Sequence, residues 1–379
     1  MKLIGKEVAF LPTSETNPRN GEGSFIRLKD GRIMYAYTEY YGDSWKDHAT
    51  ARISAIYSDD EGETFSEPVI LVEKESWQMN IMSVSLIRMA NGDIGMFYLE
   101  KTQAEENCVY CMPVFRYSTD EGKTFSEVIP CTDIKGYYIG VNDRLTITKS
   151  GRILMAVARC GDFYNTKTHH IEPGHVRLLY SDDCGRSWDF LPSDIFLCYS
   201  EGLGLTEPGV MEFDDGRLWV YARTPYGHQY QSVSTDGGIT FGTVQPNLYF
   251  SSPESPMVVR RFERGTVAVF NPNGFNCTID RMECWGASKR TPFVFAFSKG
   301  DGSEFDFSRI VGHPAMNGYG KPFREKCYLI EDNLEESYCY PAIIDTKDGF
   351  LVAYYHSNGT GICLNSTKIT KVLYSELGL

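Results

Sequence analysis

The chain has 379 residues, of which 42% are hydrophobic and 23% are charged, so it can form a large core. Its 50 Asp and Glu side chains outnumber 37 Lys and Arg side chains, which gives a net charge of −13 and disfavours a nucleic-acid-binding surface. No apolar run is long enough to span a membrane, and residues 1–15 contain no apolar signal-peptide core. We therefore expect a cytoplasmic protein without nucleic-acid or membrane partners, whose 11 cysteines are reduced thiols. A secreted or periplasmic location is the alternative if a signal peptide has been removed.

Six segments, taken in chain order, share a pattern in which apolar alternation lies on both sides of a turn. The first reads FIRLKDGRIMYAY at residues 25–37, and the last reads AIIDTKDGFLVAYY at residues 342–355. A glycine at the turn allows the positive φ that a tight hairpin requires. The pattern predicts six β-hairpins, whose turn glycines are Gly31, Gly92, Gly151, Gly216, Gly265 and Gly349.

A second motif, Ser-x-Asp-x-Gly-x-Thr/Ser-aromatic, follows most of these hairpins. Complete copies begin at Ser58, Ser118, Ser181 and Ser234, and a degraded copy from Ser298 has Gly300 in place of the aspartate. The Ser hydroxyl and the Asp carboxylate can bond to turn backbone groups, while the aromatic residue packs beneath. Because a repeated element rarely has a repeated catalytic task, we interpret these aspartates as structural.

These repeats resemble the Asp-box, or BNR, repeats of the sialidase (neuraminidase) superfamily. The resemblance implies an all-β, six-bladed β-propeller of four-stranded antiparallel blades that spans residues 1–379 as a single domain. The last repeat ends after its third strand, at residues 367–377. We expect residues 6–13 to complete that blade as its outer strand and to close the ring.

In this topology the glycine turns and Asp boxes lie on the bottom face, and the starts of the inner strands converge on the top face. The residues nine positions before the turn glycines are Glu22, Ser83, Asn142, Glu207, Pro256 and Tyr340. A ring of polar and ionisable residues over an apolar propeller predicts an active site there. We also assign to substrate binding Asn142, His228 in an upper loop and His356 at a strand end. The upper loops further contain His48, His169 and His170, which could bind sugar hydroxyls.

The sialidase resemblance gives several of these residues roles. Tyr340 would be the nucleophile, with Tyr338 as a weaker alternative, and Glu207 would take its proton. Asp47 would be the acid/base residue, with Asp43 as the alternative. Arg223 and Arg290 would bind an acidic group of the sugar.

The chain departs from the family at its first blade. Family members carry an arginine there in an Arg-Ile-Pro motif, whereas this chain reads NPRNGEGSFIRL and places Glu22 close to that position. A carboxylate there would repel a sugar carboxylate. Strand alternation turns Arg27 away from Glu22, and nothing in the sequence requires Arg19 to reach the site.

Three functions remain open from the sequence. The first is a sialidase-like hydrolase that removes a terminal acidic sugar from a glycan. The second is a superfamily enzyme for a non-sialic sugar, in which Glu22 binds hydroxyls or pairs with Glu207. The third is a non-catalytic glycan-binding propeller. The joint presence of Glu207, Arg223, Arg290 and Tyr340 favours an enzyme.

No cofactor or metal is predicted. His169 and His170 are adjacent and lack acidic companions at metal-ligand spacing. The Cys108-x-x-Cys111 pair lies in a strand-like run, where residues three apart point to opposite faces, so we expect two buried thiols.

Overall fold

A computed structural model describes residues 2–198, 202–272, 290–306, 327–357 and 365–379. These residues form β-strands joined by turns, with short 3₁₀ turns at Ser303–Phe305 and Tyr374–Leu377. Within these ranges, no helix has the length and apolar character needed to cross a membrane.

The strands follow one another around the ring in chain order. The first strand and the four strands of blade 1 are β1 (Lys6–Leu11), β2 (Arg19–Arg27), β3 (Ile33–Tyr40), β4 (Ala51–Ser58) and β5 (Val69–Val72). The strands that begin in blade 2 and blade 3 are β6 (Gln78–Arg88), β7 (Ile94–Glu105), β8 (Cys108–Ser118), β9 (Ile129–Pro130), β10 (Tyr138–Ile139), β11 (Thr146–Ile147), β12 (Ile153–Arg159), β13 (Tyr164–Asn165), β14 (His175–Ser181) and β15 (Asp189–Phe190).

Blades 4, 5 and 6 complete the ring. Their strands are β16 (Thr206–Glu212), β17 (Leu218–Arg223), β18 (His228–Ser234), β19 (Gln245–Ser251), β20 (Val258–Phe262), β21 (Gly265–Phe270), β22 (Phe293–Ser298), β23 (Cys327–Glu331), β24 (Tyr338–Asp345), β25 (Gly349–His356) and β26 (Ser366–Leu373). The sheets of blades 1, 4, 5 and 6 each have four strands, while those of blades 2 and 3 gain a short fifth strand. The protein is therefore a six-bladed β-propeller, as the sequence predicts.

The ring closes through its first strand. β1 pairs antiparallel with β26, from Lys6 opposite Lys371 to Leu11 opposite Thr367. β1 thereby becomes the outer strand of blade 6, in the order β1-β26-β25-β24. This confirms the predicted closure and covers the edge that β26 would otherwise expose.

Hydrophobic contacts join every pair of neighbouring blades. One cluster of buried side chains lies between blades 1 and 2, a second links blades 2, 3 and 4, and three more join blades 4 to 5, 5 to 6 and 6 to 1. Both faces of the inner strands of each blade are therefore buried. This explains why the sequences of β3, β12 and β25 are nearly continuous apolar runs.

The Asp boxes are turn staples. In the first box, Ser58 Oγ donates to Asp60 Oδ1 at 2.8 Å and accepts from Gly62 N at 2.8 Å. Asp60 also accepts from the backbone and hydroxyl of Thr64 at 2.9 and 2.6 Å. The other three complete boxes repeat this pattern. These bonds confirm the structural interpretation of the motif.

Contacts between repeats place the hairpin turns and the boxes on the same face. The backbone N–H of Lys29, in the first hairpin turn, donates to Glu121 of the second box at 2.8 Å. Arg27 donates to Glu61 of the first box at 2.8 Å. Arg27 therefore points away from the top face, in agreement with the prediction from strand alternation.

Near the axis, a buried carboxylate ties four blades together. Asp143 accepts from Ser24 Oγ at 2.8 Å, from the Arg260 guanidinium at 2.5 Å and from the backbone N–H of Ile343 at 3.1 Å. These partners belong to blades 1, 5 and 6, while Asp143 precedes the central strands of blade 3. The network fixes the strand starts that carry the top-face residues.

Candidate active site

Backbone bulges at the starts of inner strands deliver four side chains to the top of the ring. Pairing shifts register within β2, β6, β16 and β24. At each bulge a non-glycine residue has φ between 47° and 60°: Glu22, Ser83, Glu207 and Tyr340. Residues other than glycine rarely adopt this backbone conformation. Bulges of this kind change the direction of a side chain and are frequent at functional sites. All four residues line one cavity of about 670 Å³.

Tyr340 and Glu207 form the central pair of this cavity. The Tyr340 hydroxyl donates to Glu207 Oε1 at 2.5 Å, and Arg223 donates to Glu207 Oε2 at 2.7 Å. The same Arg223 nitrogen lies 3.4 Å from the Tyr340 oxygen. Burial, reinforced by the Glu207 charge, raises the pKa of Tyr340 well above its usual value, although Arg223 and Arg290 oppose this shift. The phenol is therefore neutral, with a carboxylate placed to accept its proton.

Arg290 lies beside this pair. Its guanidinium carbon is 5.8 Å from the centre of the Tyr340 ring, and it donates to the backbone oxygen of Glu254 at 2.9 Å. The Glu254 carboxylate in turn lies 3.5 Å from Arg223. Two arginines and two carboxylates thus surround the tyrosine on this side of the cavity.

Arg19 lies beside the cavity-lining residues Glu22 and Asp47. Its guanidinium donates to Glu22 at 2.5 Å, to Asp47 at 2.6 Å and to the hydroxyl of Tyr355 at 2.7 Å. It is 1% exposed and lies 4.6 Å from the centre of the Tyr40 ring. The structure therefore brings Arg19 into the site, which the sequence did not require.

The pKa values of the two carboxylates that bind Arg19 shift in opposite directions. Burial raises the pKa of Glu22, although Arg19 and a hydrogen bond from Ser83 oppose this shift. Desolvation would raise the pKa of Asp47, but the charges of Arg19 and Lys101 outweigh this effect and hold that pKa well below its usual value. Asp47 is therefore an ionised carboxylate in this state, and its side chain is 57% exposed at the cavity.

Lys101 and Asn80 hold the loop that carries Asp47. The Lys101 ammonium donates to the Asp47 carbonyl at 2.9 Å, and the Asn80 side chain donates to the same oxygen at 2.8 Å. Lys101 is 4% exposed and lines the cavity. Sequence reasoning missed Lys101 and Glu254. The place of Lys101 in the second strand of blade 2, nine residues after the turn glycine Gly92, was the available signal.

Three residues predicted to bind substrate lie outside the cavity lining. Asn142 is fully buried, and its amide donates to backbone oxygens of Gly23 and Pro341 at 2.7 and 3.2 Å. His356 contacts the Glu336 carboxylate at 2.9 Å. His228 begins the third strand of blade 4, where burial lowers its pKa. None of these three side chains lines the cavity.

The two alternative residues also lie elsewhere. Tyr338 is buried, and its hydroxyl donates to Glu336 at 2.6 Å rather than to Glu207. Asp43 is not among the residues that line the cavity, whereas Asp47 is. Tyr340 and Asp47 are thus the better-placed members of each pair.

Two further observations concern metal-ligating residues. Among the residues that the structure describes, no group of three His, Cys, Asp or Glu side chains is arranged to hold a metal ion. Cys108 and Cys111 are free and buried, as their position in a strand predicts.

A family model described as a BNR repeat-like domain matches residues 80–353. The chain belongs to this family. The match covers most of the propeller and, together with the sialidase structures that share the fold, places the protein in the sialidase/BNR-repeat superfamily. No curated protein matches the chain.

Several solved structures share the fold. One is a protein of unknown function from Dyadobacter fermentans, which is 17% identical over 97% of this chain and 99% of that chain, with a TM-score of 0.68. The NanB sialidase from Streptococcus pneumoniae is 12% identical over 98% and 71% of the two chains, with a TM-score of 0.67. The Trypanosoma rangeli sialidase is 12% identical over 97% and 58%, with a TM-score of 0.63. At these identities the likeness concerns the fold.

Proposed function

We propose that this protein is a sialidase-like glycoside hydrolase that removes a terminal sugar from a glycan. The observation that carries the proposal is the 2.5 Å hydrogen bond from Tyr340 to Glu207 in the wall of a 670 Å³ cavity. A nucleophile bonded to a base, with a cation beside both, is the arrangement that covalent catalysis requires.

In the proposed first step, the Tyr340 oxygen attacks the anomeric carbon as its proton passes to Glu207. The bond to the leaving group breaks, and the glycosidic oxygen takes a proton from Asp47. In the second step, water attacks the anomeric carbon while Asp47 accepts a proton from it. The tyrosyl bond then breaks, and Tyr340 recovers its proton from Glu207. Arg223, within 3.4 Å of the phenolic oxygen, stabilises the negative charge that develops there.

The charge of Asp47 gives this scheme a pH dependence. Its pKa is held well below the usual value by Arg19 and Lys101, so the carboxyl group must gain a proton before it can act as an acid. Lower pH favours that protonated form. We therefore expect turnover to increase as the pH falls from neutrality into the mildly acidic range.

Arg223 and Arg290 support an acidic sugar as substrate. Both line the cavity next to Tyr340, and paired guanidinium groups suit a carboxylate. The acidic group would lie on the side of the cavity where these two arginines meet.

A second candidate is a sugar other than sialic acid. Arg19 is the third arginine of the site, but Glu22 and Asp47 both bind its guanidinium, and Glu22 itself lines the cavity. This carboxylate would repel a sugar carboxylate and would instead accept hydrogen bonds from hydroxyl groups. The arrangement therefore supports a sugar that is held by two arginines, or a neutral one.

The test is a screen for release of sialic acid, uronic acids and neutral terminal sugars, repeated with Tyr340→Phe. We expect this variant to lose at least about a thousandfold in turnover, with an unchanged melting temperature. Tyr338→Phe is the matched control, because it removes a buried hydroxyl that bonds to Glu336. Full activity in Tyr340→Phe would contradict the proposal. Binding of a glycan without any product would favour a non-catalytic propeller.

A further inference from the structure

One wall of the cavity rises above the rest of the top face. β7 and β8 have 12 and 11 residues, whereas the second and third strands of the other blades have six to eight. The residues between β12 and β14 lean on this tall hairpin. Tyr164 pairs with Val109 through β13, and the backbone N–H of Thr166 donates to Asn107 at 2.8 Å. Main-chain bonds therefore fix a loop of blade 3 to blade 2.

This junction gathers four rings, His48, Tyr137, Tyr164 and His169, which we call the ring cluster. His48 stacks on Tyr164 with the ring centres 4.8 Å apart, and Tyr137 lies 5.4 Å from Tyr164. The Tyr164 hydroxyl bonds to His169 Nδ1 at 2.9 Å. Each of the four rings therefore contacts at least one other ring of the cluster.

Two of the four rings of the ring cluster line the cavity. Tyr137 and His169 belong to the cavity lining, Tyr164 is half-buried and His169 is exposed. His169 has φ 54°, a conformation that is rare outside glycine and is found at binding sites. Burial lowers the pKa of His48 to about 4, so that ring is uncharged at neutral pH. The surface offers aromatic faces, hydroxyls and imidazole nitrogens.

The position of the ring cluster relative to Asp47 indicates what it binds. In the proposed reaction Asp47 protonates the glycosidic oxygen, so the leaving group must lie next to Asp47 and away from Tyr340. His48 directly follows Asp47, and Lys101, which binds the Asp47 carbonyl, lies 5.8 Å from the centre of the Tyr137 ring. A leaving group next to Asp47 would therefore lie beside the ring cluster.

We propose that the ring cluster binds the leaving group and that this group is a neutral sugar, an inference that rests on the proposed hydrolase function. A hexose has an apolar C–H face that packs on aromatic rings and hydroxyls that bond to tyrosine and histidine.

The kinetic test compares two substrates with the same terminal sugar, the one released fastest in the screen. One is its glycosyl fluoride, which leaves the ring cluster empty, and the other is that sugar linked to lactose. Tyr164→Ala and His169→Ala are expected to lower kcat/KM for the lactose-linked substrate about tenfold more than for the fluoride. The matched control is Tyr180→Ala, which removes a half-buried tyrosine that packs against Arg152 in blade 3. It should leave the ratio unchanged.

A binding test does not depend on turnover. Saturation-transfer NMR with lactose is expected to show contact with Tyr340→Phe protein and a loss of contact when Tyr164→Ala is added. Lactose contact that Tyr164→Ala leaves intact, or an unchanged kinetic ratio in an active enzyme, would overturn the inference. Lactose contact at the ring cluster without hydrolysis of any substrate would instead contradict the hydrolase function and leave the sugar site in place.

Discussion

The bottom and top faces of the propeller use repetition in opposite ways. On the bottom, all four complete Asp boxes have the same bond, in which the glycine N–H donates to the serine hydroxyl at 2.8 Å. On the top, four strand starts share the same positive-φ bulge, yet they carry two glutamates, a serine and a tyrosine with different partners. Repeated side chains on a repeated backbone mark the scaffold, and varied side chains on a repeated backbone mark the site.

The largest effect is expected on the top face, from Arg19→Gln. This change leaves the buried Glu22 and its neighbour Asp47 without their shared cation, which should lower the free energy of unfolding by roughly 3–5 kcal/mol. Chemical denaturation at neutral pH measures this loss.

The double variant Arg19→Gln/Glu22→Gln is the control for that prediction. The pKa of Glu22 is raised in the folded protein, so ionised Glu22 destabilises the fold when the pH lies above the usual pKa of a glutamate. Replacing Glu22 with glutamine removes this destabilisation. We expect the double variant to be more stable than Arg19→Gln alone. Strictly additive losses would show that the pair does not interact.

A smaller effect is expected on the bottom face, from Gly185→Ala in the third Asp box. Gly185 has φ 77°, and an added Cβ would lie 2.1 Å from the buried Phe115 ring. Gly216 has φ 83° with no neighbouring atom within 4 Å of such a Cβ. Gly185→Ala should lower the free energy of unfolding by roughly 3 kcal/mol, and Gly216→Ala by roughly 1–2 kcal/mol. Equal losses by denaturation would mean that backbone strain alone governs the box glycine.

The smallest effect is expected from Asp60→Asn, which tests the staple at low pH. Desolvation would raise the pKa of Asp60, but bonds from Thr64 and Ser58 lower it to about 2. As the pH falls, Asp60 is protonated in the unfolded chain before it is protonated in the folded protein. The stabilisation that ionised Asp60 gives the fold is therefore complete above about pH 4 and is lost as the pH falls towards 2. Asp60→Asn should lower Tm by ~2 °C at pH 6, and the difference should narrow at pH 2.5. A pH-independent difference would exclude this ionisation as the cause.

The sequence was sufficient for the scaffold and for the central pair of the site. Turn glycines and box residues recur at fixed spacing because each repeat solves the same packing problem. Counting back from a turn glycine therefore located Glu207 and Tyr340 at the same height of the ring. The same count located Glu22 and Ser83.

The positions of Arg19 and Asn142 could not be predicted, because they depend on local backbone irregularities that counting residues from a turn glycine does not reveal. Arg19 and Glu22 are three apart and would face opposite sides of a regular strand, but a register shift lies between Gly21 and Ser24. Glu22 lines the cavity, and Arg19 donates to it at 2.5 Å. In blade 3 the positive φ falls on Asp143 rather than on Asn142. This one-residue difference aims Asn142 at backbone oxygens, which explains why its side chain does not line the cavity.

The closure of the ring has a consequence for biosynthesis. β1 and its partner β26 are separated by about 360 residues, so at ribosomal rates β1 waits roughly 20–70 s for its partner to be made. During that interval its sequence KEVAFL, with Lys6 and Glu7 exposed even in the finished blade, discourages pairing with other chains. Blades 1 to 5 can each complete their sheets from nearby sequence. Blade 6 must assemble last, and its completion turns an open arc of blades into a closed ring.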